Sequence, residues 1–126
     1  MMFDTDVLIW LLRGHYTAAS LINQTLNRQL ATLSQLEILQ GVRTKRELPI
    51  IKSLLQQLEF TILPLTGDIG HRAAIYIEEF SLSHGLRTVD ALIAATATEY
   101  NQILCTANHK HFNFIPGLEL KIFSPN

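Results

Sequence analysis

The stretch that decides the fold stands at the start of the chain: Met1-Met2-Phe3-Asp4-Thr5-Asp6-Val7-Leu8-Ile9-Trp10-Leu11-Leu12. In it, a short apolar run ends at an Asp-x-Asp pair and a second apolar run follows. This pattern predicts a buried strand that ends at Asp4 and leads into a helix. Because ligands bind at the carboxyl edge of the strands in open α/β sheets, we expect Asp4 and Asp6 to lie at a ligand site.

Short apolar runs alternate with helical patterns along the rest of the chain. The predicted strands cover residues 1–4, 30–33, 60–63, 103–106 and 120–123. The predicted helices cover residues 17–28, 34–42, 48–58 and 69–84, the last of which ends before a glycine, and a further helix begins at residue 88. The alternation predicts an α/β fold in which a parallel five-stranded sheet is flanked by helices on both faces.

Size and composition favour one domain over residues 1–126. The chain has 126 residues, of which 48% are hydrophobic, and this is enough apolar surface for a substantial core. No apolar run is long enough to span a membrane and no secretory signal is visible, so we expect a cytoplasmic protein. The net charge of −1 gives no overall bias towards nucleic acid. The single cysteine, Cys105, excludes an internal disulfide and is interpreted as a core residue.

Two further acids, Glu37 and Asp90, stand in similarly apolar surroundings. Each also has a purely structural interpretation. Glu37 follows Ser34 by three residues and fits a capping box, and Asp90 falls in the first turn of a helix, where the macrodipole favours an acid. Asp6 fits a helix N-cap equally well.

The four acids together are stronger evidence for a site than any one of them, because strand ends and first helical turns meet at one edge of a parallel sheet. Carboxylates held close together repel unless a proton or a cation lies between them. Ligand sets made only of oxygen suit Mg²⁺ or Mn²⁺ better than zinc. The sequence therefore predicts a divalent metal site.

Four segments resemble, in order and spacing, the signature segments of PIN-domain ribonucleases, and most closely those of VapC-type toxins. They are Asp4-Thr5-Asp6-Val7-Leu8-Ile9, Glu37-Ile38-Leu39-Gln40-Gly41, Asp90-Ala91-Leu92-Ile93-Ala94-Ala95 and Thr106-Ala107-Asn108-His109-Lys110-His111-Phe112. The resemblance extends from residue 1 to about residue 123.

The resemblance implies a three-layer PIN-like fold, a Mg²⁺ or Mn²⁺ site and endonucleolytic cleavage of RNA. It also implies a cognate antitoxin as partner and a homodimer. By position, Asp4, Glu37 and Asp90 match the three main acids of the family, which act in catalysis and bind metal. Asp6 matches a position that is often Asn, Asp or Ser, and Thr106 matches a small hydroxyl residue next to the ligands.

One position departs from the family. Where many relatives carry a fourth acid, this chain has Asn108, which can bind a hard cation through its carbonyl oxygen but adds no charge. Candidate RNA contacts are the basic residues of two segments, Arg43, Lys45 and Arg46 in one, and His109 and Lys110 in the other. His111, which follows Lys110, is a further candidate for contacting phosphate or carrying a proton. The alternative for both segments is ordinary solvent-exposed surface.

Two other functions remain open from the sequence. A PIN-like domain with a weakened metal site would act only as an RNA- or protein-binding module, and Asn108 favours that reading. The Asp4-Thr5-Asp6 motif also fits the nucleophile motif of haloacid-dehalogenase-like phosphatases. Such a phosphatase needs a later acidic pair, and Asp68 has no second acid at a suitable spacing.

Overall fold

The computed structural model describes residues 1–125 and contains one parallel sheet. Its strands are β1 (Met2–Phe3), β2 (Gln29–Ala31), β3 (Thr61–Leu63), β4 (Leu104–Thr106) and β5 (Leu120–Ile122). Its helices are α1 (Thr5–Leu12), α2 (Tyr16–Gln24), α3 (Thr32–Gln40), α4 (Glu47–Gln57), α5 (Gly67–His84) and α6 (Thr88–Glu99). A short 3₁₀ turn covers His109–His111. The predicted α/β fold with a five-stranded parallel sheet is confirmed.

The strand order is β3-β2-β1-β4-β5, so β1 lies at the centre between β2 and β4. The chain first moves outward through β2 and β3, then returns to the other side of β1 with β4. Connections that leave the adjacent strands β1 and β4 therefore diverge at their carboxyl ends. This is the topological switch point at which open α/β sheets bind ligands.

Helices cover both faces of the sheet, because successive strand residues point to opposite sides. Met2 and Leu104 are buried in a cluster with residues of α5 and α6, whereas Phe3 and Cys105 are buried in a cluster with residues of α1 and α2. Helix α6 is rich in alanine, and its alanines have no exposed surface. Their small side chains let the helix pack closely against the sheet. Cys105 is a core residue, as predicted.

Three local predictions were wrong by a few residues. Helix α2 ends at Gln24 rather than at residue 28, because the Arg28 guanidinium donates to the carbonyl groups of Asn23 and Thr25 and ends the helix. Helix α3 begins at Thr32 rather than after a Ser34 cap. Helix α5 begins earlier than predicted, because the Thr66 hydroxyl accepts from the Ile69 amide and caps it.

Other boundaries agree closely with the sequence pattern. Helix α5 ends where predicted, at Gly85, whose φ of 69° is the left-handed conformation that glycine adopts without strain. Helix α6 begins at Thr88, as predicted. Within residues 1–125, none of the helices combines the length and the apolar character that crossing a bilayer requires.

Candidate active site

Asp4 lies at the switch point, directly after β1, and is only 6% exposed. Its amide donates to the Cys105 carbonyl at 2.8 Å, which continues the pairing of β1 with β4. Its carboxylate accepts at Oδ1 from the Thr5 amide and at Oδ2 from the Thr106 hydroxyl, each at 2.8 Å. Asp4 is thus both the N-cap of α1 and the acid held between the two central strands. The alternative prediction that Asp6 caps this helix was wrong.

Asp6 lies in the first turn of α1 and ties that helix to the segment after β4. Its Oδ2 accepts from the Ala107 amide and from Asn108 Nδ2, both at 3.0 Å. The Asn108 amide in turn donates to the Thr106 hydroxyl at 3.0 Å. The other carboxylate oxygen, Oδ1 of Asp6, is buried and has no hydrogen-bond partner. A buried oxygen of this kind is costly unless a cation or a proton binds it.

Glu37 projects from the second turn of α3, and the capping-box interpretation was wrong because the helix begins at Thr32. Its Oε1 accepts a hydrogen bond from the Thr5 hydroxyl at 2.6 Å. Ser34, which the capping box required at the helix start, is instead fully buried, with its oxygen 3.0 Å from that of Thr5.

Asp90 lies in the first turn of α6, as predicted. Its Oδ2 is 3.4 Å from Nδ1 of His111, which stands in the 3₁₀ turn and forms an ion pair with Asp90 when it is protonated. His111 was predicted from the sequence only as a phosphate contact or proton carrier on a loop, and its pairing with Asp90 was not predicted. The turn places His111 in the lining of the same pocket as the acids, whereas His109 and Lys110 are exposed and do not line it.

These side chains line one open pocket of about 220 Å³, which we call the acidic pocket. Its lining residues are Asp4, Thr5, Asp6, Ile9, Glu37, Asp90, Ile93, Asn108 and His111. All four predicted acids and Asn108 are therefore brought together, with Thr106 behind them. The basic residues at 43, 45 and 46 are exposed on the loop between α3 and α4 and do not line the pocket.

Burial raises the pKa of three of these acids. For Asp4 the pKa rises to about 7, first because of burial and then because of the nearby charge of Asp6, although the hydrogen bonds from Thr106 and Thr5 oppose the rise. Burial likewise raises the pKa of Asp6, against the hydrogen bonds that it accepts from backbone amides. The pKa of Asp90 is raised by burial and lowered by His111. The pocket therefore resists accumulating negative charge and favours a compensating cation.

The donor chemistry of the pocket fits a hard divalent cation. The pocket offers carboxylate oxygens from three chain segments, and the buried Oδ1 of Asp6 has no other partner. Among residues 1–125, no three His, Cys, Asp or Glu side chains are placed to hold one ion together. The acids thus line the pocket but do not converge on a single point. One oxygen of Glu37 accepts a hydrogen bond from Thr5, and one oxygen of Asp90 lies beside His111. Cys105 lies beneath the pocket as a buried thiol whose pKa is raised to about 12 by burial, which excludes it as a nucleophile.

Comparison with known proteins agrees with this geometry. Residues 1–115 match the PIN domain family. A relative, the ribonuclease VapC19 of Mycobacterium tuberculosis, is 32% identical over 123 residues, which cover 94% of this chain and 96% of the relative. The chain belongs to the PIN-domain family of VapC ribonucleases. The resemblance inferred from the four sequence segments is confirmed, and the phosphatase alternative is dropped.

Solved structures with this PIN-domain fold include toxin–antitoxin complexes. A chain of a toxin–antitoxin complex from Klebsiella pneumoniae superposes with a TM-score of 0.79 at 26% identity, covering 99% of this chain and 97% of that one. A chain of VapBC2 from Rickettsia felis, bound to a DNA fragment from its promoter, superposes with a TM-score of 0.78 at 21% identity, covering 98% of both chains. The second likeness concerns the fold alone.

The raised pKa of Asp4 predicts a pH-dependent stability for the metal-free PIN domain. Because the folded-state pKa of about 7 lies above the ordinary value of 3.8, the unfolded chain releases this proton first as pH rises. The contribution of Asp4 is therefore complete below about pH 4 and is lost between about pH 4 and pH 7, at no more than about 1.4 kcal/mol per pH unit.

Urea unfolding in the presence of a chelator measures this effect, with Asp4→Asn as the comparison. The Thr106 hydroxyl can turn to accept a hydrogen bond from the new amide, so the variant should fold. We expect its free energy of unfolding to fall less steeply over this pH range than that of the unaltered protein, with a remaining slope from Asp6 and Asp90. Parallel curves for the two proteins would contradict the assignment.

Proposed function

We propose that this PIN domain is a Mg²⁺- or Mn²⁺-dependent endoribonuclease and the toxin of a VapBC-type toxin–antitoxin pair. The observation that carries the proposal is the buried carboxylate of Asp4, held at the switch point among Asp6, Glu37 and Asp90 in a pocket that opens to solvent. PIN-domain nucleases of the VapC type are metal-dependent in general.

The proposed roles of the acids follow from how each is held. Asp4, Glu37 and Asp90 are the main catalytic acids and metal ligands. Asp6 contributes its free Oδ1 and Asn108 its carbonyl oxygen, while Thr106 fixes the carboxylate of Asp4 from behind. A bound divalent cation supplies charge neutralisation at the phosphodiester and lowers the pKa of the attacking water.

The chain itself orients these groups before any substrate arrives. Thr106 and the Thr5 amide fix both oxygens of Asp4, and the hydrogen bonds from Ala107 and Asn108 fix one oxygen of Asp6. His111, beside Asp90, is placed to donate to a phosphate oxygen or to carry a proton at the mouth of the pocket. Rigid placement of this kind lowers the reorganisation that the reaction requires.

The proposal extends to partners, assembly and location. We propose that a cognate antitoxin binds the protein, because the relatives of known structure include toxin–antitoxin complexes. The homodimer, the cytoplasmic location and the single domain over residues 1–126 remain predictions. The competing function is that of an RNA- or protein-binding module, which gains support from the Asn108 amide group that faces Asp6 and from the open arrangement of the acids.

Replacement of Asp90 by asparagine is expected to abolish RNA cleavage and to preserve the fold. The change removes the charge of a proposed metal ligand at nearly constant side-chain size. The cleavage rate should fall by more than the roughly 10- to 100-fold that follows when a residue hydrogen-bonded to a metal ligand is removed. The assay uses purified, antitoxin-free protein with structured RNA, in Mn²⁺, in Mg²⁺ or with chelator. Circular dichroism verifies folding.

The matched control is Asp68→Asn. Asp68 lies in the first turn of α5, just as Asp90 lies in the first turn of α6, but it is exposed and far from the acidic pocket in the lining of a different cavity. The control should cleave RNA at the unaltered rate. Cleavage by Asp90→Asn at that same rate would remove the assignment. Absence of cleavage by the folded, unaltered protein in both Mn²⁺ and Mg²⁺ would favour the binding module.

RNA is proposed to contact two exposed basic surfaces. The first is the basic loop, defined by Arg43, Lys45 and Arg46, and the second is the exposed pair His109 and Lys110 in the 3₁₀ turn. Because the net charge of the protein is −1, local positive charge of this kind must supply the attraction to phosphate.

Replacing all three basic residues of the basic loop by alanine should weaken RNA binding and flatten its salt dependence. Three lost phosphate contacts lower the slope of log affinity against log salt by about 2 for single strands. Fluorescence anisotropy measures this in an Asp90→Asn background, where the RNA stays intact. The control replaces the exposed Lys52 and Lys121 by alanine. Because the control removes two charges and the test variant three, an equal effect per removed charge would assign the attraction to overall charge and not to the basic loop.

A further inference from the structure

Thr5 lies between the two N-terminal acids. Among the described residues of α1, it alone forms side-chain hydrogen bonds to α3. It is the first residue of α1 and is 8% exposed. Its hydroxyl donates to Glu37 Oε1 at 2.6 Å and lies 3.0 Å from the hydroxyl oxygen of Ser34. A hydroxyl that donates to a carboxylate at so short a distance makes a charge-assisted hydrogen bond, about twice as strong as a neutral one.

Glu37 stands at the boundary between two cavities. On one side lies the acidic pocket. On the other side lies a larger cavity of about 490 Å³, which we call the apolar groove, lined by Ile9, Leu12, Arg13, Glu37, Ile38, Gly41, Val42, Glu47, Ile50 and Ile51. The groove lining holds both a cation, Arg13, and an acid, Glu47. The Glu37 carboxylate therefore borders two cavities, of which only the acidic pocket contains Asp4, Asp6 and Asp90.

We infer that Thr5 is a positioning residue, which holds the Glu37 carboxylate at the acidic pocket and keeps it from turning into the apolar groove. The inference rests on the proposed function, because it concerns the acid that Glu37 contributes to the metal site. The charge of Glu37 raises the pKa of Asp90, so these two carboxylates repel each other when no cation is bound. The hydrogen bond from Thr5 opposes this repulsion.

The buried position of Ser34 explains why a threonine hydroxyl is held so firmly. Ser34 has no exposed surface, and its oxygen lies beside that of Thr5. The hydroxyl of Thr5 is thus fixed between a buried hydroxyl and the carboxylate, both of which belong to α3. This arrangement fixes the direction in which the Thr5 hydroxyl donates, and with it the position of Glu37 relative to α1.

Binding of Mn²⁺ alone, measured by electron paramagnetic resonance titration without RNA, tests the inference. Thr5→Val keeps the shape of the side chain and removes the hydroxyl, and should weaken Mn²⁺ binding by about 10- to 100-fold, the range found when an outer partner of a ligand is lost. Thr5→Ser restores the hydroxyl and should bind close to the unaltered affinity. The double variant Thr5→Val/Ser34→Ala leaves no buried hydroxyl without a partner, so a general folding defect in Thr5→Val would be relieved there while the loss of Mn²⁺ affinity would persist.

A coupled variant separates positioning from a structural effect. In a Glu37→Gln background, Thr5→Val should cause little further loss of Mn²⁺ affinity, because the carboxylate on which Thr5 acts is already gone. Additive losses, or unchanged affinity in Thr5→Val, would overturn the inference while leaving the metal site in place. Failure of the unaltered, folded protein to bind Mn²⁺ would overturn the proposed function and this inference with it.

Discussion

The pairing of β1 with β4 is the constraint on which the rest of the structure depends. Two short strands, distant in sequence, place Asp4 beside Thr106, and the Thr106 hydroxyl then fixes the Asp4 carboxylate at 2.8 Å. The same pairing starts α1 at Asp4 and brings Asp6 to the backbone that follows β4. A change in register by one residue would turn Asp4 into the apolar face and would dismantle the cluster. The site is therefore a direct product of the sheet.

The position of Asp4 at the end of the central strand makes its ionised form unfavourable. Burying Asp4 removes its carboxylate from water, and the charge of Asp6 raises its pKa further, to about 7. Hydrogen bonds from Thr5 and Thr106 recover part of the lost solvation without supplying charge. In the function we propose, a bound divalent cation would supply the positive charge that compensates the four acids of the pocket.

Much of the fold followed from sequence patterns, because apolar runs and helical periods are local signals. The acids at the strand ends were also predictable, since a parallel sheet brings its carboxyl ends to one edge. Local capping was less predictable: Ser34 has the chemistry of a cap, yet α3 starts earlier and buries it. The end of α2 depends on Arg28. Its guanidinium also donates to the carbonyl of Leu58, which lies 30 residues later at the end of α4, and no local pattern reveals that contact.

The contacts of Thr5 and His111 lay beyond sequence reasoning for a different reason. Each side chain gains its role from a partner about 20 to 30 residues away, Glu37 for Thr5 and Asp90 for His111, and only the packing of separate helices defines those pairs. A threonine between two aspartates is a visible signal, but it does not tell which helix the hydroxyl meets.

The measurement that tests the central claim most directly is anomalous X-ray diffraction from crystals of this protein soaked in Mn²⁺. We expect a Mn²⁺ peak in the acidic pocket within coordination distance of carboxylate oxygens of Asp4 and Asp90, and no such peak in crystals of the Asp4→Asn variant. A map with no Mn²⁺ at the pocket of the unaltered protein, or with Mn²⁺ bound elsewhere only, would contradict it.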